Sequence, residues 1–175
     1  MIEVHPFGDF IPKNSKYLLL GSFTTKPKHD YVWFYANGRN HFWPIMEEVF
    51  DVKLKTKDIQ QKLFEDLHMA LADIIYSCER KNGSNLDNNL TNIVYNIDGV
   101  TNIIRNSRIK KIFFSSRFVE GKFKQLFKDL VEQHPQIELI YLPSPSPRYA
   151  AMSRQEKIIT YRKLLPSLQN TRDHQ

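Results

Sequence analysis

Two stretches of the chain concentrate side chains suited to handling a flat heteroaromatic ring and the phosphates beside it. Tyr31-Val-Trp-Phe-Tyr-Ala-Asn-Gly-Arg-Asn-His-Phe-Trp43 carries six aromatics and two asparagines. Aromatic faces can stack on an extruded base, and an asparagine amide offers both a donor and an acceptor to a base edge or a water. The same residues have a plainer use, since Asn40 is a good helix cap and Phe42 and Trp43 are good core residues. Pro143-Ser-Pro-Ser-Pro147 has three fixed φ angles and two hydroxyls, so it is a stiff loop able to present Ser144 and Ser146 to phosphates at little ordering cost. Arg148 and Tyr149 follow directly, a cation and a ring that could wedge into a distorted duplex. An ordinary proline-stiffened connection from strand to helix would have the same composition.

These stretches need a frame, and apolar periodicity supplies one. Tyr17-Leu-Leu-Leu20, ended by Gly21-Ser22, reads as a buried first strand running into a tight turn. Phe42, Trp43, Ile45, Met46, Val49 and Phe50 suit one helix, with Asn40 as cap and Pro44 tolerated in the first turn. Helical spacing recurs over 58–68, and Leu71 to Tyr76 reads as a strand or an extended entry into one. The polar stretch Glu79 to Asn92 reads as a loop. A short helix is expected near Asp98 to Asn106, a strand over Ile109 to Phe114 ended by Ser115-Ser116, and an amphipathic helix over 117–132. Ile137 to Leu142 is the last strand. A helix over about Ser153 to Leu165 follows, with Ser153 and Glu156 forming a capping box.

Strands alternating with helices predict parallel strands joined by right-handed crossovers, hence an α/β fold: a three-layer α/β/α sandwich with a short parallel sheet. One domain over 1–168 with a polar tail over 169–175 accounts for the whole chain. Ligand sites in such sheets lie beyond the carboxyl ends of the strands. That rule selects Gly21-Ser22-Phe23, Ser115-Ser116 and the Pro143 to Pro147 loop.

With 175 residues and 41% apolar side chains the chain can bury one ordinary core. No apolar run approaches the roughly 20 residues of a membrane helix, and no basic-then-apolar leader opens the sequence, so a soluble, cytoplasmic protein is expected. The single cysteine, Cys78, excludes an internal disulfide, a four-cysteine zinc site and a four-thiolate iron-sulfur cluster. No metal and no cofactor are implied. The formal net charge of +6 favours a polyanionic partner. From Arg105 to Lys128 there are eight basic residues against one acid, Glu120, although a solvated helix face beside a strand would look the same. A nucleotide-binding enzyme fits less well, because Gly21 stands alone where a glycine-rich phosphate cradle is needed.

Gly21-Ser22-Phe23 after the first strand, followed by Phe34-Tyr-Ala-Asn-Gly-Arg-Asn-His-Phe-Trp-Pro44, resembles the first half of the hypoxanthine-DNA glycosylase branch of the uracil-DNA glycosylase superfamily. Asn40-His-Phe-Trp43 is also similar to a segment of the mismatch-specific uracil and thymine glycosylases. Leu71-Ala-Asp-Ile-Ile75 with Cys78-Glu-Arg80 and Ser84 resembles the middle motif of the hypoxanthine branch, and Leu142-Pro-Ser-Pro-Ser-Pro147 its second signature loop. The resemblance implies a monofunctional DNA N-glycosylase of base excision repair that flips out and removes hypoxanthine or uracil, acting as a monomer on damaged DNA. It implies a catalytic role for Asn40, a base pocket of Gly21, Ser22, Phe23, Phe42 and Asp73, and DNA contacts from Ser144, Ser146, Arg148 and Tyr149. Uracil-specific enzymes carry an aspartate or asparagine just after the first strand and a histidine opening the second loop; here those places hold Thr24-Thr25 and Leu142. A nucleic-acid-binding member of the fold without catalysis is the alternative.

Overall fold

A computed structural model describes residues 1–24, 33–81 and 89–168. The expected loop residues 82–88, the polar tail 169–175, and Thr25, Tyr31 and Ser84 lie outside the described residues.

The elements run β1 (Ile2–Val4), β2 (Tyr17–Gly21), α1 (Phe42–Phe50), α2 (Lys57–Asp66), β3 (Met69–Asp73), β4 (Ile75–Arg80), β5 (Leu90–Tyr95), α3 (Ile97–Asn106), β6 (Lys111–Phe114), α4 (Arg117–Leu126), α5 (Lys128–Gln133), β7 (Glu138–Tyr141) and α6 (Arg154–Leu164). Four strands form a parallel sheet in the order β3-β2-β6-β7. The apolar run in β2 is continuous because both faces are covered. Leu18 and Leu20 pack with Val100, Ile103, Val119 and Phe123 from α3 and α4. Leu19 points the other way, among Trp43, Met46, Phe64 and Tyr161 from α1, α2 and α6. The expected three-layer α/β/α sandwich is therefore the observed one.

A second sheet, β1-β4-β5, is antiparallel and was not expected. Glu79 and Arg80 end β4, and Leu90 to Asn92 open β5, so the described ends of the expected loop are paired strand. The stretch Leu71 to Tyr76 is two strands, one in each sheet, that meet at Ile74. There the Ile74 and Ile75 N–H groups donate to the Gly21 and Ser22 carbonyls, tying the corner to the end of β2. The helix expected over 117–132 is two, broken where Phe127 takes φ −113° and ψ 25°. Ser116 and Ser153 cap α4 and α6 by accepting from Val119 N and Glu156 N.

Candidate active site

Parallel pairing brings the carboxyl ends of four strands into one row: Asp73, Gly21, Phe114-Ser115 and Tyr141-Leu142. Gly21 is the register partner of Asp73. A Cβ at position 21 would lie 2.5 Å from Asp73 Oδ1 and 2.6 Å from the Tyr35 hydroxyl, so glycine is required there for close approach. These two polar atoms therefore flank one point above the end of the central strand.

Asp73 is 5% exposed, and its Oδ2 accepts from His5 Nε2 at 2.7 Å. The Phe7 N–H meets His5 Nδ1 at 3.3 Å, which places the imidazole proton on Nε2 and leaves neither ring nitrogen free. His5 thus fixes the carboxylate, while Oδ1 makes no hydrogen bond among the described residues. Asn96 ties in a second carboxylate: its Nδ2 donates to Asp9 Oδ1 at 2.9 Å and to the Asp73 carbonyl at 3.2 Å. Burial pushes the Asp9 carboxyl above the usual range and Asp73 adds to the shift, while Asn96 and His5 oppose it.

Tyr35 has φ +57°, in the left-handed region that costs a bulky residue energy, and its ring stacks on Phe42 at 4.1 Å between centroids. Its hydroxyl is enclosed with no hydrogen-bond partner of good geometry, although Ser115 stands near enough to interact. Burial, with Asp73 nearby, holds the phenol well above its ordinary pKa, so it stays protonated and able to donate. Phe42 itself is 1% exposed and packs on Trp43 and Phe64, so it backs the stack from the core.

Asn40 Oδ1 accepts from the Phe42 N–H at 2.8 Å, and its own N–H donates to the Asn37 carbonyl at 2.8 Å. It therefore does cap the start of α1, one residue ahead of the flanking His41, which makes no side-chain cap. Among the described residues neither hydrogen of its amide is taken up by a partner, so both can donate. Ser22 and Phe23 are half-buried in the turn after β2. Phe23 is edge-on to His5 at 5.7 Å and lies under the Arg80 guanidinium. Arg80 pairs with Glu3 at 2.6 Å and donates to the Thr24 carbonyl at 2.6 Å, so the antiparallel sheet anchors the turn.

The second loop is held by hydrogen bonds within it and from α6. Ser144 Oγ accepts from Ser146 N, and Ser146 Oγ accepts from Arg148 N, so among the described residues each hydroxyl proton can still donate. The His41 N–H donates to the Pro145 carbonyl at 3.1 Å, joining this loop to the Asn40 segment. Arg148 is exposed and Tyr149 half-buried. Burial pushes Tyr141 up to about 12, with Tyr149 adjoining it and Arg117 over its ring at 3.6 Å. Leu142, which opens this loop, is fully buried. Among the described residues no group of three or more His, Cys, Asp or Glu side chains could hold a metal ion. No helix among them is long and apolar enough to cross a membrane.

Of the residues singled out in the sequence, the fold brings Gly21 and Asp73 together at the strand ends and joins the Asn40 segment to the Pro143 to Pro147 loop; His5, Asp9, Tyr35 and Asn96, which cluster around Asp73, were not named there as site residues. Tyr35 sits in the segment already singled out by its aromatics. The other three come from segments with no local signature.

No protein-family model matches the chain, and no curated protein does. Among solved structures, it is similar to a "putative Uracil DNA glycosylase" from Methanosarcina acetivorans determined by solution NMR, with a TM-score of 0.69 at 17% identity over 98% of this chain and 99% of that one. The chain therefore shares the fold of that structure over nearly its whole described length.

Proposed function

We propose that this protein is a monofunctional DNA N-glycosylase that flips a deaminated base, hypoxanthine or uracil, out of DNA and hydrolyses its glycosidic bond. The observation that carries the reading is the pair of polar atoms around Gly21, an acceptor on Asp73 and a protonated hydroxyl on Tyr35. Deamination turns the amidine edge of adenine or cytosine, a ring nitrogen acceptor beside an amino donor, into a lactam edge, a ring N–H beside a carbonyl. A carboxylate accepts from the ring N–H and a phenol donates to the carbonyl, so the pair complements the lactam. It meets an amidine ring nitrogen lone pair to lone pair. The hydroxyl that lacks a partner in the free protein would gain one.

Glycosidic cleavage builds positive charge on the sugar and negative charge on the departing base, so it needs hydrogen bonds to the base and an oriented water more than a strong base. Asn40 can meet either need through its free amide hydrogens, and cannot take up a proton at neutral pH. Ser144, Ser146 and Arg148 offer donors to the flanking phosphates, and the net charge of +6 attracts the duplex. The groups named around Gly21 include no amine nucleophile, so the product is an abasic site.

The test is a panel of end-labelled duplexes, each with one altered base, incubated with the protein and then treated with alkali. Strand breaks at hypoxanthine or uracil are expected, with the abasic strand intact before alkali. Binding without breaks on any substrate would make the protein a lesion-binding member of the fold and refute the enzymatic reading.

A further inference from the structure

The underside of the Pro143 to Pro147 loop holds a buried charge that the reading above does not use. Lys157 and Tyr161 stand one turn apart on the same face of α6, which faces the loop. The Tyr161 hydroxyl donates to the Pro143 carbonyl at 2.6 Å, and Lys157 Nζ donates to the Ser146 carbonyl at 3.1 Å. Lys157 is 2% exposed, and Nζ lies 5.3 Å from the centre of the Tyr149 ring.

No carboxylate pairs with Lys157 among the described residues, and burial lowers the pKa of its ammonium. An unpaired cation out of water is costly, and a neutral donor would hold the carbonyl equally well, as Tyr161 does at the other end of the loop. What the ammonium adds is charge, in a place where water and counter-ions screen it weakly. The loop it holds carries two serine hydroxyls that accept from the Ser146 and Arg148 N–H groups and so can still donate, and the exposed Arg148.

We propose that Lys157 is the buried cation of a phosphate-gripping loop, holding the Ser146 carbonyl from beneath and adding its charge to the field that a DNA phosphate meets at Ser144 and Ser146. This rests on the reading of the protein as a DNA-binding enzyme. Lys157 is a positioning residue, acting through the loop and through its field without touching the reacting atoms.

The experiment measures binding of wild type, K157M and K157Q to an undamaged duplex by fluorescence anisotropy across a salt series, with thermal melting of each protein. K157Q, which keeps a donor for the carbonyl while removing an unpaired buried charge, should melt no lower than wild type. K157M should bind about tenfold more weakly at low salt, and its slope of log Kd against log salt should fall by roughly one. K157Q, which can still hold the carbonyl, should bind more tightly than K157M yet show the same reduced slope. Wild-type affinity in K157M, or weaker binding with an unchanged slope, overturns the inference while the glycosylase reading stands. A wild-type protein that binds no DNA at low salt overturns both.

Discussion

Replacing Asn40 by serine separates the two uses of this residue. In the structure its Oδ1 accepts the Phe42 N–H at 2.8 Å, a bond that a serine hydroxyl at the same position can also make. Asn and Ser are near-equal caps, so the exchange should cost only a few tenths of a kcal/mol. For a domain of this size that lowers Tm by about 1 °C. The amide hydrogens are a different matter, because serine has no counterpart to them. If they orient the water or hold the departing base, removing one preorganised donor should slow base release by roughly 10²-fold, about 2.7 kcal/mol of barrier. Single-turnover release from a deoxyinosine or deoxyuridine duplex, read beside a melting curve, separates the effects. An Asn40→Ser protein that melts like wild type and releases base at the wild-type rate would falsify the catalytic assignment and leave Asn40 as a cap.

Other perturbations probe the niche around Gly21. Gly21→Ala puts a methyl 2.5 Å from Asp73 Oδ1 and 2.6 Å from the Tyr35 hydroxyl, so overpacking should cost about 1–3 kcal/mol and depress both Tm and base release; a variant with unchanged activity would show that those atoms do not meet the base. Tyr35→Phe deletes a buried hydroxyl without a good partner, so stability should hold or rise. Its base release should nevertheless fall by about tenfold or more, and full activity would remove Tyr35 from the reading. Asp9→Asn keeps the acceptor for Asn96 but removes a carboxyl whose pKa is raised on folding. Ionising that carboxyl costs the folded state, so wild type should lose stability relative to the variant as pH rises from the ordinary aspartate range through the raised value, and then level off. Melting curves of both proteins between about pH 3.5 and 8 test this, and a constant difference in Tm across that window contradicts it.

Much of the frame was legible because it rests on local patterns. The run Leu18-Leu-Leu20 signals a strand covered on both faces, and Asn40, Pro44 and the apolar spacing from Phe42 mark a helix start. The antiparallel sheet was harder to see. β1 has three residues and alternates exposed and half-buried, and β5 presents Thr91 and Asn92 to solvent with irregular register against β4, so neither carries a strong apolar period. The break at Phe127 is likewise invisible, since Phe123, Phe127 and Leu130 keep a helical period across it. In the site, the two loops declared themselves through composition, whereas the pair His5 and Asp73 spans 68 residues and exists only once β1 docks beside β4. Lys157 was hidden for another reason: Ser153, Glu156 and the cations of α6 read as an ordinary capped surface helix, and only packing reveals that one of those cations is buried.

The central claim is tested most directly by detecting the released base itself. Duplexes containing a single hypoxanthine, uracil, adenine or cytosine at one position should be incubated with the protein and the small-molecule fraction analysed by mass spectrometry. Free hypoxanthine or free uracil, in amounts equal to the abasic sites formed and with no release of adenine or cytosine, is the predicted result. No free base from any duplex, or adenine released as readily as hypoxanthine, would contradict the account.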